Sequence, residues 1–247
     1  MKIYSIYNIK GGVGKTTSTV NLAYASASQG ISTLIWDLDP QGATSYYLCH
    51  KTGIPGGVKN LMEQNIPLYE MIKSTGYPNL DLFPADASYR YFDQYFAETK
   101  KPDGCLKKMI KSFRNRYQRL FLDCPPGLSL LSDNILRVTD ILLIPLIPTP
   151  LSLRSYNRLV KHLLKHDQWK LKVVPFFNMV NKNNSIHRIV TTNVCEKLPI
   201  FAKQTIPHSN IIEAMGIKRS PLAIYAPDSM EYKAIVSLWQ EVIGRHP

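Results

Sequence analysis

The sequence predicts one α/β domain over residues 1–247, built on a doubly wound, mostly parallel sheet with helices on both faces. Three observations predict it. Short apolar runs alternate with longer segments of helical period from end to end, the order expected of βαβ units. Several of those runs are apolar almost throughout, as strands are when both faces of a sheet are covered. No linker, repeat or low-complexity tract divides the chain, and 247 residues with 45% apolar content suffice for one sizeable core.

The first strand is expected over Ile3–Asn8, because Met1-Lys2-Ile3-Tyr4-Ser5-Ile6-Tyr7 enters a strand pattern at once, without a signal-peptide apolar region. Further strands are expected at Thr33–Asp37, Leu80–Phe83, Leu120–Asp123, Ile141–Leu146 and Val173–Phe177, with a weaker one near Phe201–Ile206. Between them the helical period marks Thr16–Gln29, Tyr89–Ala97, Leu106–Phe113, Ser129–Val138, Ser152–His166, Ile186–Lys197 and Met230–Gly244. In the last of these, Met230, Ile235, Leu238, Trp239 and Val242 have core-like spacing. Gly53-Ile54-Pro55-Gly56-Gly57 reads as a flexible surface loop. The apolar stretch Ile141–Leu153 is broken by Pro145, Pro148 and Pro150, too short and interrupted to cross a bilayer.

Composition narrows the function. Thirty Lys and Arg face eighteen Asp and Glu, a net charge of +12. Residues 1–100 balance at eight and eight, so the whole excess lies in residues 101–247. Such asymmetry points to a polyanion, nucleic acid ahead of a membrane surface, although a generally basic soluble surface is the plain alternative. Cys49, Cys105, Cys124 and Cys195 sit far apart with no paired spacing, which disfavours a disulfide framework or structural zinc and fits a reducing cytosol.

After the first strand comes Lys10-Gly11-Gly12-Val13-Gly14-Lys15-Thr16-Thr17, and then a helical pattern. Successive glycines let backbone N–H groups turn inward around phosphate oxygens, and the new helix adds its positive end. Lys15 is placed to reach β- and γ-phosphates, and the Thr16 hydroxyl to coordinate Mg²⁺. Two carboxylates close the second strand in Trp36-Asp37-Leu38-Asp39-Pro40-Gln41-Gly42; at i and i+2 they project to one side. The run Arg119-Leu120-Phe121-Leu122-Asp123-Cys124-Pro125-Pro126-Gly127 ends an apolar strand in Asp, the arrangement that holds Mg²⁺ through water or accepts from Thr16.

These motifs resemble the ParA/MinD family of ATPases. The general phosphate loop has glycine where this chain has Ile9; its second lysine, Lys10, makes Lys10–Thr16 similar to that family's deviant Walker A box, K-G-G-x-G-K-[ST]. The resemblance implies a P-loop NTPase fold, ATP with Mg²⁺, and an ATP-sandwiched homodimer in which Lys10 touches the partner's nucleotide; a solvated loop lysine is the alternative. It implies nucleotide contacts by Gly11, Gly12, Val13, Gly14, Lys15, Thr16 and Thr17. Asp39 would sit near the attacking water and Asp37 near the Mg²⁺ shell. Lys10, Lys15 and Asp39 are the expected catalytic groups, and Thr16, Asp37 and Asp123 the metal groups. Asn178, in Phe176-Phe177-Asn178-Met179-Val180-Asn181, stands where the family often contacts adenine, though a turn-capping Asn fits as well. Ile206-Pro207-His208-Ser209 matches the family's Ile-Pro segment, making Pro207 a nucleotide-site residue, with His208 where Arg is frequent.

The branch follows by elimination. No second cysteine pairs with Cys124 to bridge a cluster, and the fourteen tyrosines are scattered rather than gathered in a tail. Residues 242–247 leave no room for a membrane-targeting amphipathic segment after the last helix, so no membrane partner is expected. The ParA (Soj)-like branch remains, without an N-terminal DNA-reading domain. It implies a cytoplasmic, nucleoid-associated ATPase that binds non-specific DNA in the ATP state and positions DNA or other large cargo. A ParB-like or other adaptor would stimulate its slow hydrolysis. Basic residues of the C-terminal half are the candidate phosphate contacts: Lys182, Arg188, Lys203, Lys218, Arg219 and Arg245, any of which also fits a solvated side chain. Two rivals stay open: a same-fold metabolic or assembly ATPase acting on a small molecule or metal cluster, and a non-catalytic nucleotide-gated DNA scaffold.

Overall fold

Parallel pairing puts the carboxyl ends of six strands on one edge, and that edge carries the site. The computed structural model describes residues 1–48, 53–63, 67–99, 102–165 and 171–246. Its strands are β1 (Lys2–Ile6), β2 (Thr33–Asp37), β3 (Lys73–Ser74), β4 (Leu80–Phe83), β5 (Arg119–Asp123), β6 (Ile141–Leu146) and β7 (Lys172–Phe177). They form one sheet in the order β3-β4-β2-β5-β1-β6-β7, parallel throughout except for the β3–β4 pair. The helices are α1 (Lys15–Ala27), α2 (Ala43–Leu48), α3 (Gly57–Glu63), α4 (Phe92–Glu98), α5 (Cys105–Lys111), α6 (Leu130–Val138), α7 (Pro150–Lys165) and α8 (Ser185–Lys197), then α9 (Asn210–Glu213), α10 (Met215–Lys218), α11 (Leu222–Tyr225) and α12 (Met230–Arg245).

Alternation along each strand divides the core in two. Ile3, Leu34, Trp36, Leu120 and Leu122 face one layer with the apolar sides of α3 to α7. Tyr4, Ile6, Ile35, Phe121 and Leu143 face the other, against α1 and α12. The second layer is centred on aromatics: Tyr4 stacks on Phe121 at 4.9 Å between centroids, and Trp239 of α12 sits 5.3 Å from Tyr4 and 5.6 Å from Phe121.

Several expectations need correction. Phe201–Ile206 is no strand; Ala202 N bonds Pro175 O and Ile206 N bonds Phe177 O, but the Glu241 carboxylate takes the amides of Lys203 and Gln204 in between. The glycine-rich segment 53–57 is tied down, with Ile54 buried, its N–H on Asp86, and the Gly53 N–H on Ala85 O. It runs directly into α3, whose seven residues are too short to announce a period. Tyr89–Ala97 divides into a 3₁₀ turn at Ala87–Tyr91 and α4. Met230 is 74% exposed and lies outside the core that Ile235, Leu238, Trp239 and Val242 do enter. His166, Cys49 and Lys101 lie outside the described residues.

Candidate functional site

The loop between β1 and α1 is held open by residues on either side of it. Asn8, buried at the end of β1, donates from Nδ2 to Pro145 O at 2.8 Å and accepts the Lys10 N–H at 2.9 Å. The Tyr7 hydroxyl donates to Gly127 O, and Gly127 N–H donates to Ile9 O at 3.0 Å, so the Pro-Pro-Gly turn after β5 is bolted to the loop. Gly12 and Gly14 take left-handed backbone at φ 71° and 83°, conformations that L side chains rarely adopt. A Cβ at Gly11 or Gly12 would meet nothing within 4 Å, so the concave side of the turn is open.

Lys15 opens α1 and is only 7% exposed. Among the described residues its ammonium has no hydrogen-bond or ion-pair partner. Burial pushes it below its ordinary value, while Asp123, Cys124 and Asp39 pull the other way. A lysine this desolvated whose ammonium lacks a protein partner is costly to keep charged, so this loop fits an anion that supplies one. Phosphate oxygens seated against the open glycine turn and the α1 N-terminus meet that need.

The carboxylates stand beside it. Asp37 and Asp123 are register partners on β2 and β5, both fully buried. Asp123 accepts from Thr44 Oγ1 at 2.7 Å and from Thr19 Oγ1 at 3.1 Å. Asp37 Oδ2 accepts both the Ser45 N–H at 2.8 Å and its hydroxyl at 2.7 Å, and Oδ1 faces the Asp39 N–H at 3.3 Å. Its oxygens are therefore committed to the start of α2, which makes Asp37 a group that shapes the site. Asp39 is half-buried and caps the turn through the Gln41 N–H at 2.9 Å. Burial raises both Asp37 and Asp123 above the ordinary carboxylate range, with the Asp123 charge next for Asp37 and the Thr44 and Thr16 hydroxyls opposing for Asp123. Two buried carboxyls that resist ionising together suit a divalent cation beside Thr16 and Asp123.

That pair sets the sign of a pH effect. In the unfolded chain each carboxyl loses its proton near the ordinary value of 3.8, whereas the folded chain keeps it to higher pH. The folded state then binds more protons, so stability falls as pH rises from about 4 through the raised values. The protein in EDTA is expected to melt at higher temperature near pH 5 than near pH 8, and Asp37→Asn to reduce the difference. A melting temperature that rises over that interval in parent, and equally in the variant, contradicts the assignment.

Other sequence candidates fare unevenly. Asn178 donates from Nδ2 to Val13 O at 2.8 Å, and a Cβ on Gly14 would strike that amide at 2.2 Å. It holds the loop's far side, with its amide nitrogen already committed. Pro207, Thr17, Met179, His208 and Ile212 line a small cleft of about 40 Å³ next to it. Lys182 and Lys203 share a second cleft with Pro207 and Glu231. Arg188 and Lys218 are exposed on α8 and α10. Arg245 is not free for a polyanion: it donates to the carbonyls of Pro199, Ile200 and Phe201 and pairs with Glu241 at 2.5 Å. Arg219 is partly committed: its Nε donates to Tyr46 O at 3.2 Å and its guanidinium lies 4.2 Å from the Tyr46 ring.

Thr19, Thr44, Ser45 and Asn8 carry much of this geometry and were missed. Hydroxyls and a lone Asn have no sequence period, and α2 is six residues long. Their only signal was proximity to the Asp-x-Asp-Pro-Gln-Gly and glycine-loop motifs.

Comparison with known proteins agrees with this geometry. Residues 1–174 match the AAA domain family AAA_31. The chain is 29% identical over 247 residues to the sporulation initiation inhibitor protein Soj of Bacillus subtilis, covering 98% of each. It is 28% identical over 255 residues to the chromosome partitioning protein ParA of Myxococcus xanthus, covering 99% of this chain and 88% of that one. Its fold is similar to that of a Cyanothece McdA variant solved with ATP, at a TM-score of 0.84 and 21% identity over 99% of this chain and 96% of that one.

Proposed function

The chain belongs to the AAA domain family as a ParA/MinD-type P-loop ATPase, and from that premise we propose that it is an ATP-dependent partitioning ATPase that dimerises around nucleotide and binds non-specific DNA in the ATP state. The observation that carries the ATP part is Lys15, a largely buried lysine whose ammonium has no partner among the described residues, beside an open glycine turn. Similarity to Soj and ParA along nearly the whole chain supports the partitioning part.

In this reading Gly11–Thr17 cradle the triphosphate, Lys15 neutralises its β- and γ-oxygens, and Thr16 with Asp123 hold Mg²⁺. Bound Mg²⁺ supplies charge that offsets what develops on the transferred phosphoryl group. Asp39, half-buried at the turn before α2, orients the attacking water. Lys10, fixed by its own N–H on Asn8, crosses to the partner subunit's nucleotide. Hydrolysis is slow until a second subunit and an adaptor complete the site, and the dimer then parts and leaves the DNA of the nucleoid.

Lys10→Ala tests this. Random-sequence duplex DNA is titrated with parent and variant at about 50 and about 200 mM salt, with ATP or ADP. Tight, salt-sensitive binding with ATP, lost with ADP and in the variant while ATP still binds, is the expected result. No DNA binding by an ATP-loaded parent sends the reading to the small-molecule rival.

A further inference from the structure

Helix α7 carries a row of cations that packing does not explain. Arg154, Arg158, Lys161 and Lys165 recur at spacings of four, three and four residues, and all are exposed. At about 100° per residue they fall within a sector of about 60°, and about 16 Å of helix separates the first from the last. The opposite face, Ser152, Tyr156, Leu159 and Leu163, is the buried one, so the row points straight out. Pro150–Lys165 contains no Asp or Glu. The acidic group bonded to the helix, Asp133 of α6, holds His162 at 2.7 Å, outside the sector.

Such a row costs the helix something. Like charges three and four residues apart repel. A solvated helix gains nothing from that arrangement, whereas a polyanion does. Open space of about 890 Å³ lies among the outward side chains of the helix itself, including Arg154, Asn157, Arg158 and Lys161.

We propose that the outward face of α7 is this chain's contact for the sugar-phosphate backbone of duplex DNA. The proposal rests on the reading above that the ATP-bound protein binds DNA, and it relocates the contact from the residues chosen by sequence. Of those six, Arg245 is committed to the 199–201 carbonyls and Glu241, Arg219 bonds Tyr46 through its Nε, and Lys182 and Lys203 share their cleft with Glu231. The α7 sector contains cations alone. Leu151 and Leu164, 59% and 64% exposed, flank the sector and do not interrupt it. A protein partner's hot spot would want an apolar or aromatic centre, with Lys excluded from it. Phosphates want only charge, and neutralising them releases counterions.

The experiment compares three full-length proteins with ATP and random-sequence duplex DNA across a salt series: parent, Arg154→Ala/Arg158→Ala/Lys161→Ala, and Lys182→Ala/Arg188→Ala/Lys203→Ala. A fluorescent ATP analogue confirms that each still binds nucleotide. The α7 variant is expected to lose about a hundredfold in affinity near 0.1 M salt, and about 3 from the slope of log K against log salt. The second variant should lose less. A parent that binds DNA and an α7 variant that matches it overturn the inference and leave the function reading standing. A parent that binds no DNA in either nucleotide state overturns both. Polyglutamate is titrated in parallel: α7-dependent binding of polyglutamate with α7-independent binding of DNA assigns the surface to an acidic protein and also overturns the inference.

Discussion

Lys15→Met is expected to lower ATP turnover by about 10²–10³-fold or more without lowering the melting temperature of the nucleotide-free protein. The two halves have one cause. Lys15 is 7% exposed, its ammonium has no partner among the described residues, and burial holds it below its ordinary value. In the nucleotide-free fold it is a liability, so a neutral side chain of similar length removes a desolvation cost and leaves little cavity. With triphosphate bound, the same cation faces oxygens it was held ready for, and no reorganisation is needed as charge develops. The measurement is a pair of melts with and without Mg²⁺-ATP, beside steady-state turnover. The parent should gain stability from ATP, and the variant should lose most of that gain. A variant that turns over at parental rate removes Lys15 from the chemistry. A nucleotide-free melt several degrees lower would mean that the ammonium is spent on Asp123 as a structural pair.

What the sequence disclosed follows the same physics. Strands β2, β4 and β6 were legible to the residue, because each is a short, mostly apolar run bounded by turn residues. The long helices α1, α7, α8 and α12 were legible within two residues at each end, since two or more turns give the 3.6-residue period room to repeat. The two-residue edge strand β3 and the short helices α2, α3, α9, α10 and α11 had no such room. In the site, the glycine turn, Lys15 and Asp123 announced themselves by spacing. The groups that hold them did not. Thr44 and Ser45 act by donating to Asp123 and Asp37, and Asn8 by bridging Lys10 to Pro145; such bonds join residues distant in sequence and leave no periodic trace. Counting charge alone says nothing of partners: the Arg219 Nε donates to Tyr46 O and Arg245 to the 199–201 turn, bonds that no sequence pattern marks.

Trp239→Ala should destabilise the protein by about 3–5 kcal/mol, a fall in melting temperature of roughly 10 °C for a chain of this size. The indole is fully buried between Tyr4 and Phe121, its Nε1 donates to Gln29 Oε1 at 3.3 Å, and the Arg119 guanidinium lies 5.0 Å over its ring. Removing it opens a void against β1 and β5, which the remaining aromatic pair cannot fill without moving strands. Those two strands lead into the Lys10 loop and end in Asp123, so the loosening reaches the site from behind. Met230→Ala supplies the contrast within the same helix: a residue 74% exposed has little contact to lose, and its change should stay within about 0.5 kcal/mol. Urea melts of the two variants decide the matter. A small loss for Trp239→Ala would mean that α12 is peripheral to the fold, and the packing of β1 and β5 would then have to be sought on the other face.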